Sequence, residues 1–234
     1  MERKTISGQV ILITGTLEYL GDPQLLTIPS EVCTQFPDGS SEISWIRLQN
    51  LDLTGKLDKS LRIVSASLFR SVICQSFSQA CFSNSTFQES QVAGSRFENS
   101  DFIECAFDFA DCHGAAFSNC EIDASFGMAN LSDCTFSNCT ISGNFQDAIL
   151  NRATFANCHL SGNFENTQCQ NIRFEETTAG YMNGNLHLIA QLFAAGLSGH
   201  DKEEFVDEGY DLFGFEPEPA DETEAWYQRW LNES

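Results

Sequence analysis

The sequence predicts an all-β protein, a solenoid whose chain turns a corner every five residues and stacks coil upon coil. Three observations carry this reading. Apolar residues recur at a step of five, a period that suits neither a helix nor a flat strand. The residue two places before each of them is small. The whole pattern also returns every 19 residues: in FSNCTISGNFQDAILNRATFANCHLSGNF, Phe136 and Phe155, Cys139 and Cys158, and Asn144 and Asn163 all stand at that spacing.

The repeats are clearest in the middle of the chain. FDFADCHGAAFSNCEIDAS begins at residue 107, FGMANLSDCTFSNCTISGN at 126 and FQDAILNRATFANCHLSGN at 145, and the pattern restarts as FENTQCQNIRF at 164. Their apolar centres are Phe107, Cys112, Phe117 and Ile122, then Phe126, Leu131, Phe136 and Ile141, then Phe145, Leu150, Phe155 and Leu160. The last step of each unit is four residues, so one face is shortened before Phe126, Phe145 and Phe164. Backwards, Phe77, Phe82, Phe87, Val92, Phe97 and Phe102 lead into Phe107 at steps of five. Leu48, Leu53, Ile63, Leu68 and Ile73 keep a similar frame, broken at Asp58. The frame amounts to about seven units over residues 48–182, the outermost being least regular, as terminal repeats usually are.

Four faces of five residues return the chain above its own start, at the parallel-strand spacing of roughly 4.8 Å. The centre of each face points inward. The residue two before it does so too, because side chains alternate along an extended segment. It lies near a corner and must be small, as Ser85, Ser90, Ala110, Cys120, Ala129, Cys139, Gly143 and Cys158 are. The positions between are mostly Ser, Asn, Asp, Glu, Gln and Thr, as an outer surface should be. Residues 19 apart then lie directly above one another. Phe117, Phe136 and Phe155 form an internal stack, with Cys120, Cys139 and Cys158 in a column beside it and Leu131 and Leu150 on a neighbouring face.

A small residue, Asn or Asp, Leu or Phe, and two polar residues make the pentapeptide-repeat pattern. Ala129-Asn130-Leu131-Ser132-Asp133 matches it fully; Ser100-Asp101-Phe102 and Gly143-Asn144-Phe145 match its core. Over about 135 residues the chain resembles the pentapeptide-repeat family. The resemblance implies a right-handed quadrilateral β-helix of about seven coils, here with a short C-terminal helical region, and says little about function.

Residues 48–183 are therefore read as the β-helix. Residues 1–47 lack the five-step frame; VILITG and LEYL look like short strands, and the segment reads as an N-terminal cap or small module. Residues 184–234 form a C-terminal helix and an acidic aromatic tail. Leu186, Leu188, Ile189, Leu192, Phe193 and Leu197 make an apolar helical stripe ended by Gly199. Beyond it, HDKEEFVDEGYDLFGFEPEPADETEAWYQRWLNES holds Phe213 and Phe215. Trp226, Tyr227, Trp230 and Leu231 share one face of a short helix, and these aromatics are the candidate partner-binding residues.

Composition narrows the function. The formal net charge is −21, just under half of it beyond residue 183, which opposes direct nucleic-acid binding. No window reaches the roughly 18 apolar residues of a membrane span, and the N-terminus shows no secretory signal. The ten cysteines are accordingly expected to be reduced thiols in a cytoplasmic protein. The column cysteines occupy positions that require a small buried residue, which a free Cys suits. Cys112-His113 and Cys158-His159 suggest metal ligands, but the paired C-x-x-C spacing of zinc sites is missing. Replacing Cys139 by Ser is expected to bury an uncompensated hydroxyl. No nucleophile elbow, phosphate loop or metalloprotease motif is present. Catalytic residues, metal and cofactor are therefore expected to be none.

The expected function is that of a non-catalytic, rigid acidic scaffold or adaptor that binds another protein, without nucleic acid or membrane. A homodimer contact through the C-terminal helix is a further expectation. Two alternatives come from the resemblance. Qnr-type proteins resemble duplex DNA in shape and charge and bind type II topoisomerases, which implies gyrase binding or protection by DNA mimicry. Other pentapeptide-repeat proteins act as effectors delivered to a host cell, which would make this a secreted protein.

Overall fold

A computed structural model of the protein describes residues 61–184 without a break, together with parts of 4–57 and of 188–199. The chain winds as a parallel solenoid of about six turns, matching a right-handed β-helix. Taking faces in chain order, Phe107, Cys112, Phe117 and Ile122 centre the first to fourth faces of one coil. The third face is a six-stranded parallel sheet: Ser76–Ser78, Arg96–Glu98, Ala116–Ser118, Thr135–Ser137, Thr154–Ala156 and Arg173–Glu175. The fourth stacks Leu61–Val64, Cys81–Ser83, Asp101–Ala106, Glu121–Ser125, Thr140–Asn144, His159–Asn163 and Thr178–Asn183. The first two faces are joined by single parallel bridges, such as Asp111 to Asn130 and Asn130 to Ile149.

The interior is filled by columns of like side chains. Phe117 pairs with Phe136 and Phe136 with Phe155 in the strand register, and their rings stack at 4.9 and 4.7 Å. On the first face Phe107, Phe126, Phe145 and Phe164 stack at 5.1, 5.3 and 4.7 Å. Ring spacing follows the coil rise, because each ring is carried one strand above the last. Leu131 and Leu150 are fully buried in the second-face column.

The corners explain the 19-residue period. In most faces the residue two after the centre has a left-handed backbone: φ is 48° at Asn99, 53° at Asn119, 54° at Asn138 and 51° at Asn157. Asn and Gly are the residues that best tolerate this conformation. In the longer coil the fourth face runs Phe102, Ile103, Glu104 (φ 52°), Cys105. In the next it runs Ile122, Asp123, Ala124, and the pairing slips by one residue between Phe102 and Cys105. The residue lost is the left-handed one. Its loss brings successive backbones together, so a Cβ on Gly143 would lie 2.3 Å from the Ala124 carbonyl oxygen and one on Gly162 (φ 133°) 1.8 Å from that of Gly143. Pairing slips back between Leu160 and Gly162, where the longer coil resumes. Ile73 to Phe77 is another four-residue step, on a different face.

Near the start of the solenoid Asp58 lies outside the described residues, but Leu57 is buried. Gln75 holds the turn beside it, accepting the Gly55 N–H at 2.8 Å and donating to the Leu57 carbonyl at 3.1 Å. Below, Ser41–Ser44 extends the fourth face in register, with Ile43 opposite Ile63. Strands Lys4–Ile6, Val10–Ile13 and Thr16–Tyr19 form an antiparallel meander, whose last strand pairs in parallel with Ile46–Arg47.

At the other end the sequence pattern places the close of the helix at Gly199, and the structure differs. Leu188, Gln191, Leu192 and Ala194 are helical; the chain then turns at Gly196 (φ 108°). Ser198–Gly199 is a strand pairing with Thr178–Ala179. Gly196, not Gly199, supplies the left-handed residue that ends a helix. Leu188, Leu192 and Leu197 are buried, while Leu186, Ile189 and Phe193 lie outside the described side chains.

Candidate functional site: the outer surface of the coil

Among the described residues the interior is filled by buried side chains. Phe117, Phe136, Phe155, Leu131 and Leu150 are at most 1% exposed, and Cys120, Cys139 and Cys158 at most 4%. Several corner residues share one task. Ser95 Oγ donates to the Ile73 carbonyl at 2.6 Å, Thr167 Oγ1 to that of Phe145 at 2.8 Å and Thr177 Oγ1 to that of Phe155 at 3.0 Å, each one coil away. Cysteine thiols make the same link: Cys134 Sγ to the Cys112 carbonyl at 3.0 Å, and Cys139 Sγ to that of Phe117 at 3.6 Å.

Burial pushes the Cys105 and Cys134 thiols up to about 12. Cys139 is pushed up to about 11, first by its hydrogen bond with Cys120, and Cys158 is raised by its hydrogen bond with Cys139. Cys120, stabilised by the bond from Cys139, is held below the usual thiol value. A nucleophile or soft-metal ligand needs the thiolate, which burial opposes at most of these positions. Among the described residues no group of three or more His, Cys, Asp or Glu is placed to hold a metal, and no helix is long and apolar enough to cross a membrane.

On the surface, side chains two residues after each centre form ladders. Asn119, Asn138 and Asn157 each donate to the Asn one coil below, at 3.2, 3.1 and 2.8 Å. Arg152 clasps Asp133 through two hydrogen bonds of 2.7 and 2.6 Å, holding that carboxyl below its usual range, and His113 Nδ1 lies 3.5 Å from Asp133.

Two features break this polar order. From Asp101 to Asp123 stand six carboxylates and no Lys or Arg. Asp101, Glu104, Asp111, Glu121 and Asp123 are exposed, and Asp108 is half-buried beside Ser125, whose hydroxyl donates to it at 2.6 Å. This acidic belt lies on the first, second and fourth faces. Within and just above it are exposed apolar side chains: Ile103 is 43% exposed, Phe109 58% and Met128 52%. Phe109 and Met128 occupy equivalent corners of successive coils, with φ of 60° and 56°. A bulky residue in that conformation is an outlier, and a solvent-facing one gains nothing from packing. Sequence reasoning missed this pair. The signal was present, since both stand two after a centre, where the pattern calls for a polar residue.

The aromatics expected to bind a partner, Phe213, Phe215, Trp226, Tyr227 and Trp230, lie outside the described residues.

Comparison with protein-family profiles agrees with this geometry. The family profile described as Pentapeptide repeats (8 copies) matches residues 87–121. Residues 87–121 thus carry pentapeptide repeats, and the coil resembles the β-helix of that family. Among solved structures it is similar to QnrB1, described as a plasmid-mediated fluoroquinolone resistance protein, at 13% identity over 61% of this chain and 72% of that one, with a TM-score of 0.45. It is also similar to HetL, a pentapeptide-repeat protein involved in heterocyst differentiation regulation from Nostoc sp. strain PCC 7120. That match has 14% identity over 62% and 84% of the two chains, with a TM-score of 0.40. Rfr23 from the cyanobacterium Cyanothece 51142 matches at 16% identity over 62% and 88%, with a TM-score of 0.18. No curated protein sequence matches the chain.

Proposed function

We propose that this is a non-catalytic protein-binding repeat protein, a rigid scaffold or adaptor that docks a partner carrying basic and apolar side chains. The observation that carries the reading is the acidic belt from Asp101 to Asp123, with Phe109 and Met128 exposed beside it. Apolar anchors ringed by charge combine the two parts of a docking surface, a desolvated centre and a steering rim. The aromatics of the tail, Trp226 and Trp230 above all, are the second proposed anchor.

Two changes test this. Replacing both Phe109 and Met128 by Asn suits their left-handed backbone, so the coil keeps its stability while the apolar anchors disappear. A chain ended at Gly199 keeps the coil and loses the tail. Pull-downs from the source cell with wild-type and altered protein should lose the specific partner in at least one case; an unchanged partner set in both overturns the proposal.

DNA mimicry directed at a type II topoisomerase is the alternative, favoured by the cation-free belt. It predicts inhibition of gyrase supercoiling that survives loss of the tail but falls when Asp101, Asp111 and Asp123 become Asn.

A further inference from the structure

The third face differs from the other three, and we infer that it is the contact surface for a second copy of this chain. Its central strands expose only small uncharged side chains: Ala116 and Ser118, Thr135 and Ser137, Thr154 and Ala156. The strand on either side of this patch has the same sequence, Arg96-Phe97-Glu98 and Arg173-Phe174-Glu175. In both, the Phe is buried while Arg and Glu are exposed. The register places the five strands in line, Arg96 pairing with Ala116, Ala116 with Thr135, Thr135 with Thr154 and Thr154 with Arg173. Each strand therefore carries Arg or its small equivalent on one edge and Glu or its equivalent on the other. None of Arg96, Glu98, Arg173 and Glu175 makes a side-chain ion pair or hydrogen bond among the described residues.

This arrangement is complementary to itself under one operation. A two-fold axis parallel to the solenoid axis, lying between two third faces, keeps the strand order and reverses the strand direction. It sets Arg96 against Glu98 of the second copy and Glu98 against its Arg96, and does the same for Arg173 and Glu175. The result is an isologous contact, the commonest kind in homodimers. Four ion pairs would close its two ends, and the small rows between let the sheets approach. A two-fold axis along the strands would set Arg against Arg and Glu against Glu, so the charges select the first. The face is neutral overall, and the acidic belt lies on the other three faces. At about 0.15 M salt the Debye length is about 8 Å, so the remaining charge of each copy is screened while contact pairs persist.

Five strands at roughly 4.8 Å and a face about 15 Å wide give about 350 Å² per copy, less than the roughly 800 Å² of a standard interface. The dimer is therefore weak and concentration-dependent. Its contact is distinct from any end-to-end association through the C-terminal helix, and it does not depend on the partner-binding reading.

Sedimentation equilibrium of the full chain over a wide concentration range reads the association directly. Wild-type mass should climb from 26.0 kDa towards twice that value. Arg96→Glu with Arg173→Glu should stay monomeric, and so should Glu98→Arg with Glu175→Arg. An equimolar mixture of these two variants should associate again, because each copy now offers one sign only and its opposite stands on the other. Restoration in the mixture cannot arise from misfolding. A wild-type chain that stays monomeric, reversals that leave association unchanged, or a mixture that fails to associate would each overturn the inference.

Discussion

Adding one methyl group at Gly162 tests the account of the shortened corner. An ideal Cβ there falls 1.8 Å from the Gly143 carbonyl oxygen, 2.8 Å from its carbon and 3.0 Å from its nitrogen, all backbone atoms of the coil below. No rotamer change relieves this. The backbones must separate by about 1 Å or more, which breaks part of the pairing between Thr140–Asn144 and His159–Asn163. Losing two buried backbone hydrogen bonds costs about 1–3 kcal/mol each once desolvation is counted. An L-residue at φ 133° adds strain of about 1–3 kcal/mol. Gly162→Ala should therefore cost about 3–9 kcal/mol, a Tm drop of roughly 6–36 °C for a domain of this size. Gly143→Ala, with its clash at 2.3 Å and no positive φ, should cost less. At Gly127 the neighbour is the Asp108 carboxylate at 2.8 Å, the end of a side chain that can swing away, so Gly127→Ala should cost under about 1 kcal/mol. Urea titration followed by circular dichroism gives all three values. A Gly162→Ala cost below about 1 kcal/mol, or a reversed order, would refute the claim that the missing corner residue brings the backbones together.

Phe136→Ala should cost about 3–5 kcal/mol in the same titration, since its ring is held between Phe117 and Phe155 by strand pairing and the coil cannot collapse around the void. Cys139→Ser should cost under about 1 kcal/mol, no more than Cys139→Ala, because the Phe117 carbonyl that receives the thiol can receive a hydroxyl. Stability should fall on the alkaline side: with the Cys105 and Cys134 thiols raised to about 12, the unfolded chain ionises first, from about pH 9, and their contribution is lost progressively up to about pH 12. Cys134→Ala should flatten that limb in denaturant midpoints taken across pH 8–10.5. Asn at both Phe109 and Met128 should leave thermal stability unchanged or higher, measured by calorimetry.

The Cys139→Ser expectation reverses what the sequence alone suggests, and the reason is instructive. The spacing shows that Cys139 is small and buried, but not that the Phe117 carbonyl faces it. Burial was legible because it follows from the step of five. Hydrogen bonding was not, because it depends on which backbone atoms of the neighbouring coil turn inward. The shortened face shows the same division. Counting residues located the deletion before Phe126, Phe145 and Phe164, whereas only backbone geometry shows that the left-handed corner residue is the one removed. At the C-terminal end the apolar stripe correctly marked Leu188, Leu192 and Leu197, yet Gly199 misled, since a glycine suits a close strand pairing as well as a helix end. For the surface, polarity alone was read, so the paired outliers Phe109 and Met128 went unnoticed. The matching Arg-Phe-Glu strands acquire meaning only once the register sets them four rungs apart.

Each coil touches little beyond the coil above and the coil below, which gives the molecule a simple mechanical character. A load applied to the chain ends would be borne by one coil-to-coil seam at a time. Releasing a coil of 19 or 20 residues frees about 65 Å of extended chain, at 3.3–3.6 Å per residue. The rod would then pay out under tension as a staircase of near-equal steps. Its tallest plateau should fall where the phenylalanine stacks run unbroken, making the protein a graded tether and not a brittle link.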